Sequence, residues 1–565
     1  MGTTRTMLLG SIRPVSLERW PCGVAFLDGF DEATGSTAVR LLTLACSSFL
    51  LLASNVEAQV YGPSIPPVTP QPTQPAVPQT SAPTSPIVFS FALQELLTNN
   101  VNLTPSDARR GDLVTQLTPT VTLNEKSAHA SLTGTIAAPI LLYARTAAEN
   151  NQAFAQANVT GTVEAIDKFF FVDGAVSVQQ QYLTPLGAVP VDLSNATQNR
   201  YTSQSYSVSP YLKGVAQGGI NYELRDNNIW SNLNGTPIGL SGAYTNELVG
   251  HMIRDPAPWG WSVDYDGTRV KFTDQGPQVT QLARLSALYQ VEPQLQFSID
   301  GGYEKNRYPL SNYQGAIYGV GGRWQPTDRT NITAGWEHRF FGSSYYFTFD
   351  HRTPLSVWSI NASRNTTSYP QQLASLPAGS SVALLLNQLL SSSIPDPVQR
   401  LSYIDQLIQS GGFPTLTSAA VNLYTQEILL QETATGTVGL IGARNKIFLT
   451  GFYLRNQPIS GSGTALPGLL LGNNTTQSGG DITWTHNLTS FTTLTASFNY
   501  LHTLNNAPPT GTTNQGWVRA QITTNISPDT SLYAGARYQV FRSDITAASD
   551  YNEAAVFVGL SYTYH

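Results

Sequence analysis

Over most of the chain, residues change character at every second position. In residues 493–500, Leu494, Ala496, Phe498 and Tyr500 fall on one side, and Thr493, Thr495, Ser497 and Asn499 on the other. In residues 294–303, Leu295, Phe297, Ile299 and Tyr303 oppose Gln294, Gln296, Ser298 and Asp300. Residues 532–540 and 332–340 repeat the pattern, and so does the C-terminal run, where Val556, Val558, Leu560, Tyr562 and Tyr564 oppose Phe557, Gly559, Ser561 and Thr563. A period of two puts the two sets on opposite faces of a strand. A soluble sandwich also alternates, but its water face carries many Lys and Glu residues. Here Asp, Glu, Lys and Arg together make up 12% of the chain, about half the globular norm. Neutral polar residues opposite an oily face describe a wall between lipid and water.

No run of eighteen apolar residues follows the N-terminal region, which excludes a helical membrane domain. The connections between alternating segments also alternate. Tight turns occur at 290–293, 325–328, 351–354, 444–446, 486–489 and 527–529, and longer polar links at 305–314, 456–479, 504–513 and 543–550. The reading is an all-β, transmembrane antiparallel β-barrel of the bacterial outer membrane over residues 87–565, with about 22 strands (range 16–22), and with both ends on the tight-turn, periplasmic side. Charged residues are expected to keep to the polar face, with few exceptions such as His338. Trp259, Trp261, Trp324, Trp336, Tyr345, Tyr346, Trp358, Trp484, Trp517 and Tyr564 are expected in aromatic girdles.

Residues 1–58 read as an N-terminal extension and secretory signal: Arg40, the apolar run 41–53, then Val56-Glu57-Ala58 as a cleavage site. Cleavage there removes Cys22 and Cys46, so the mature chain is expected to hold neither a disulfide nor a thiol nucleophile. Residues 59–86 are a proline-rich extended tether. The alternation breaks once, at 367–420. There Asp396 caps a segment beginning at Pro397, with the stripe Val398, Leu401, Ile404, Leu407 and Ile408 before Gly411-Gly412. This helical insertion is read as a constriction in the lumen or mouth, with partner contact and simple loop packing as alternatives.

Several segments look like the outer-membrane β-barrel proteins associated with the PEP-CTERM and exosortase system. They are V-N-L-T-P-S at 101–106, S-Y-S-V-S-P-Y at 205–211, N-Y-E-L-R at 221–225, R-F-F-G-S-S-Y at 339–345, G-A-R-N-K at 442–446 and the insertion segment 394–408. The resemblance covers roughly residues 87–565. It implies a bacterium that makes or exports extracellular polysaccharide, and it implies no catalytic or transport residues.

Candidate lumen-lining residues are Arg284, Asp300, Glu337, Arg339, Asp350, Arg519 and Arg537, mixed in sign and diluted among Ser, Thr and Gln. That mixture suits a polar solute or polymer rather than an ion filter. The functional expectation is a passive pore or export conduit, with no cofactor, metal or catalytic residue. The alternatives are a structural or assembly barrel holding surface polymer or partner proteins, a sheath for an electron-transfer partner, and, last, a hydrolase. The seven histidines are scattered without metal-ligand spacing, and Ser343-Ser344 beside His338 is a poor nucleophile–base pair. A TonB-dependent transporter is disfavoured, because that class carries a globular plug ahead of its barrel. Expected partners are outer-membrane lipid and lipopolysaccharide, with extracellular polysaccharide or periplasmic export proteins as further candidates. A net charge of −6 gives no reason to expect nucleic acid.

Overall fold

The computed structural model describes residues 86–564 apart from 235–241, 274–275, 376–424, 460–473, 509 and 546–548. The expected signal, nearly all of the tether and the stripe Val398–Ile408 lie outside the described residues. The first half of the sheet comprises β1 (Ile87–Thr98), β2 (Asp112–Lys126), β3 (Ala130–Ala137), β4 (Ile140–Tyr143), β5 (Gln152–Ala153), β6 (Gln156–Ile166), β7 (Phe170–Tyr182), β8 (Arg200–Ala216), β9 (Ile220–Asn234), β10 (Ala243–Arg254), β11 (Trp259–Phe272) and β12 (Gln278–Glu292). The second comprises β13 (Leu295–Arg307), β14 (Asn312–Thr327), β15 (Thr330–Arg339), β16 (Gly342–Arg352), β17 (Ser356–Thr367), β18 (Leu429–Ile441), β19 (Asn445–Pro458), β20 (Thr475–Asn487), β21 (Thr492–Asn505), β22 (Gly511–Ser527), β23 (Thr530–Ser543) and β24 (Tyr551–Tyr564). Two short helices, α1 (Ala147–Asn150) and α2 (Tyr369–Ser375), complete the described elements.

All pairings are antiparallel, and β24 closes on β1 from Tyr564 opposite Phe89 to Ala555 opposite Thr98. Strands β3 and β4 both pair with β2, while β6 and β5 pair with β3 and β4 in turn. Each couple is one stave interrupted near Pro139, which has no N–H for the ladder, so 24 segments make a closed barrel of 22 staves. Closure leaves no unpaired edge.

The rim that carries both ends of the barrel has turns of two to four residues throughout, such as 293–294, 328–329 and 528–529; the other rim has one two-residue turn, 340–341 between β15 and β16. Several are fixed locally by threonine. The Thr353 hydroxyl accepts from the Ser356 amide at 2.9 Å, and Thr489 accepts from Thr492 at 2.9 Å, a side chain substituting for the backbone acceptor of a turn. The longer connections 99–111, 183–199, 368–428 and 459–474 lie on the other rim. Two expected long links are short. Connections 308–311 and 506–510 remain because the ladder continues through polar residues, with Lys305 opposite Gln314.

One face of the sheet presents Phe89, Leu93, Leu285, Ile299, Val320, Phe498 and Val558, all exposed. The opposite face is polar and includes two tyrosines that lie flat over glycines of the neighbouring stave. A Cβ on Gly335 would meet the Tyr346 ring at 2.3 Å, and one on Gly559 would meet the Tyr533 ring at 2.3 Å, so neither glycine admits a side chain without displacing its tyrosine.

Two sequence expectations fail here. Tyr346 and Trp517 are not girdle residues: Tyr346 shares its face with Ser344 and Asp350, and Trp517 shares its face with Arg519. Nor do charges keep to the polar face. Glu95, Asp226, Arg269, Lys271, Lys305, Arg307, Arg364, Glu432 and Arg455 all alternate in register with the apolar set. Most sit toward the long-loop rim, above the apolar band, where the environment no longer enforces the rule.

Candidate functional site

Two segments from the long-loop rim touch the polar face of staves remote from their own. In a closed barrel only the interior permits this, so the polar face lines the lumen.

The first is the connection 183–199 between β7 and β8. Asn199 ties off its base: its Nδ2 donates to the carbonyls of Thr184 at 2.9 Å and Ala188 at 3.1 Å, and its Oδ1 accepts from the Thr184 amide at 3.1 Å. Arg200 holds the returning limb by donating to the carbonyls of Asp192, Leu193 and Asn195 at 3.1–3.2 Å. The loop then reaches β19–β24. Val189 packs against Phe452 of β19 and Leu501 of β21, and Leu193 packs against the cluster holding Leu96, Tyr143 and Phe557.

The anchor is Arg537 on β23, whose side chain is fully buried. It pairs with Asp192 of the loop and with Glu553 of β24, the latter at 2.9 Å. It also donates to Ser194 Oγ at 3.0 Å and Asn195 Oδ1 at 2.8 Å. Gln539 donates to the same Asn195 oxygen at 3.0 Å, and Tyr143 donates to the Ser194 carbonyl at 3.0 Å. Burial alone would raise the Asp192 carboxyl, but Arg537 and Arg519 outweigh it and hold it well below the usual carboxylate range. The loop is thus latched by charge-assisted hydrogen bonds rather than by an oily plug.

The second segment follows β17. At the start of α2 the Ser368 amide and hydroxyl both donate to Gln371 Oε1, at 3.0 and 2.9 Å, which is the side-chain-to-amide half of a capping box. Tyr369 and Leu373 of α2 pack with Tyr201 of β8 and Leu183 at the base of the first loop. Gln371 donates to Glu247 of β10 at 3.3 Å, and on the returning side Gln278 of β12 donates to the Gln426 carbonyl at 2.6 Å. The two crossing segments therefore meet at Leu183, Tyr369 and Leu373. Both described ends of the insertion touch the lumen wall, while its expected constriction stripe lies outside the described residues.

Between the crossings, β10–β17 form a polar recess. Arg284, Asp300, Glu337 and Arg339 line it together. Arg284 and Glu337 pair at 2.6 Å, Arg339 pairs with Glu304 at 2.7 Å, and His251 with Asp264 at 2.6 Å. Arg323 faces the same recess with no ion pair or hydrogen bond among the described residues. Asp350 lies nearer the short-turn rim, accepting from Ser359 Oγ at 2.8 Å. Arg519 and Arg537 stand on the far wall, where Arg519 lies 4.5 Å over the Phe557 ring.

The wall is less balanced than the sequence suggests. Glu247, Asp264, Asp266, Asp300, Glu304, Glu337 and Asp350 face inward from β10–β16, against Arg284, Arg323, Arg339 and Arg352. Sequence reasoning missed most of these acids, together with Asp192, Asn195 and Glu553. The available sign of the loop was a non-alternating stretch at 183–199, P-L-G-A-V-P-V-D-L-S-N at its centre.

No protein-family model matches the chain. No curated protein matches it either. Among solved structures, the outer membrane protein OpdK from Pseudomonas aeruginosa is 8% identical with a TM-score of 0.32, over 85% of this chain and 99% of that one. The siderophore receptor PirA from Acinetobacter baumannii is 11% identical with a TM-score of 0.42, over 86% and 81%. OccK8 (OprE) of Pseudomonas aeruginosa is 10% identical with a TM-score of 0.30, over 85% and 98%. Likeness at this level says nothing about cargo.

Proposed function

We propose that the chain is a constricted pore of the bacterial outer membrane that passes polar solute or polymer, with the short-turn rim and both barrel ends on the periplasmic side. The membrane reading is supported by closure, which leaves no backbone group for lipid to desolvate, and by the apolar outer face. The observation that carries the pore reading is the polar, ion-paired wall bridged by segments held through hydrogen bonds, since such bonds exchange readily for water. The segments resembling PEP-CTERM-associated barrels support extracellular polysaccharide as the cargo and surface-protein export as the setting. A structural or assembly barrel is the second reading, favoured by the two segments crossing the lumen. Planar-bilayer conductance separates them: a barrel that stays sealed with its crossing segments removed overturns the pore and leaves the structural reading.

The acidic excess on β10–β16 predicts cation preference. In a KCl gradient the reversal potential should take the sign of K⁺ permeation, and Asp266→Asn with Asp300→Asn should move it toward zero. A wild-type reversal potential of the opposite sign would refute the assigned wall.

The outer face carries a second prediction. Glu95 lies in the upper part of β1, three residues from its Thr98 end, between exposed Leu93 and Leu97 and opposite Val558. Its Oε1 accepts from Thr115 at 2.8 Å, and Oε2 is buried without a partner. A carboxylate on the lipid face is destabilising, by less than the ~2–4 kcal/mol of a basic residue at midplane. Glu95→Leu should therefore stabilise the barrel by about 1 kcal/mol, read as a raised urea midpoint of unfolding from bilayers. A lowered midpoint would mean that Glu95 has a partner in the membrane.

A further inference from the structure

We infer that the outer face of β9–β14 beneath the long-loop rim docks the phosphates of lipopolysaccharide through Arg269, Lys271, Lys305 and Arg307. This rests on the proposed orientation, which puts that rim in the outer leaflet.

The register places these residues together. Arg269 is opposite Val279, Val279 is opposite Arg307, and Gln281 is opposite Lys305. The four cations thus occupy one outward face of β11 and β13, about 10 Å apart across the intervening stave. Among the described residues none of the four makes an ion pair or a side-chain hydrogen bond. Their nearest outward acid in register, Asp226 on β9, is already engaged, accepting from Asn246 at 2.6 Å and Asn228 at 3.0 Å.

Other outward cations near this rim are answered within the protein. Arg364 donates to the Ser343 carbonyl, Arg542 pairs with Asp550, and Arg455 faces Glu432 across the ladder. Among the described strand residues near this rim, only the β11–β13 group leaves its charge to the surroundings.

The surroundings are set by height. Below the group the same face turns apolar, with Val263, Leu285, Ile299 and Tyr303 all exposed. Beside it are the amides of Asn246, Gln281 and Gln314, and the paired rings of Trp230 and Tyr244, 5.5 Å apart. Cations at the upper boundary of an apolar band cost little by themselves but repel one another until counter-charge arrives. A phosphorylated glycolipid in the same leaflet supplies phosphate to the cations, sugar hydroxyls to the amides and acyl chains to the band below.

The test uses the full chain folded in detergent and three probes: bis-phosphorylated rough lipopolysaccharide, the same glycolipid dephosphorylated, and phosphatidylglycerol. Binding is counted by native mass spectrometry. The wild type should retain the phosphorylated glycolipid in preference to both others. Arg269→Gln, Lys271→Gln, Lys305→Gln and Arg307→Gln combined should weaken it at least about tenfold. Arg364→Gln with Arg455→Gln should change it little. Equal retention by wild type and quadruple variant, or equal binding of phosphatidylglycerol, overturns the assignment. Orientation is read separately: with Cys22→Ser and Cys46→Ser, Leu310→Cys should react with an impermeant maleimide on intact cells. Failure to label overturns the orientation, and the glycolipid assignment with it; labelling without phosphate-dependent binding overturns the patch alone.

Discussion

Excising residues 185–198 and joining Thr184 to Asn199 through two glycines is expected to raise single-channel conductance several-fold. The geometry makes this deletion tolerable. The Leu183 amide already donates to the Asn199 carbonyl at 2.9 Å, so the ends of the loop are adjacent and a two-residue turn can join them. At Arg537 the deletion strands no charge, because that guanidinium keeps both oxygens of Glu553, at 3.3 and 2.9 Å, while Arg200 gives up its three loop carbonyls. A barrel of 22 staves is wide, so a segment reaching from β7 to Phe452 on β19 removes much of the bore. Asp192→Asn should give a smaller rise, because Ser194, Asn195 and Tyr143 still hold the loop.

Acid should not mimic either variant. The Asp192 carboxyl is depressed in the folded state. Its contribution is fully present above the unfolded pKa of about 3.9 and is lost only as pH falls through the lower folded value. Conductance of the wild type should therefore stay flat from pH 7 to 4. Unchanged conductance after the excision would show that the loop does not limit flow.

The wall of this barrel was legible because lipid enforces a period of two over strand after strand, as in residues 294–303 and 493–500. The turns were legible because threonine, proline and aspartate punctuate them. Stave number followed from both. The lumen was harder for a physical reason: its partners are distant in sequence. Nothing near Arg537 announces Asp192, separated from it by 345 positions, and no local pattern distinguishes a loop that enters the bore from one that lies over the rim. The outward cations were missed for the opposite reason. Alternation is enforced only within the apolar band, so Lys305 and Arg307 could occupy the outer face once the strand had risen above it. Tyr346 and Trp517 looked like girdle residues because an aromatic ring is equally at home on either face; for Tyr346, Gly335 on the next stave makes room for the ring inside.

Arg537→Leu should be among the most destabilising single changes in the described sheet, costing about 3–5 kcal/mol, because removing one member of a buried ion pair strands the others. Glu553 is fully buried, and its oxygens also accept from Thr98 at 2.7 Å and Gln539 at 3.1 Å. These neutral donors, with Asn195 Nδ2 at 3.3 Å as a third, cannot replace a guanidinium that serves Glu553, Asp192, Ser194 and Asn195 at once. Arg537→Leu with Glu553→Leu should recover most of the loss, since apolar replacement of both partners removes the desolvation penalty along with the attraction. That double variant separates stability from latching. Its urea midpoint in bilayers should approach wild type, while Asp192 loses its main counter-charge and the loop loses its anchor, so conductance should rise toward that of the excised barrel. A double variant as unstable as Arg537→Leu alone would show that Arg537 acts through some contact other than Glu553. One restored in stability but still closed would show that Val189, Leu193 and the Tyr143 hydrogen bond hold the loop without the charge.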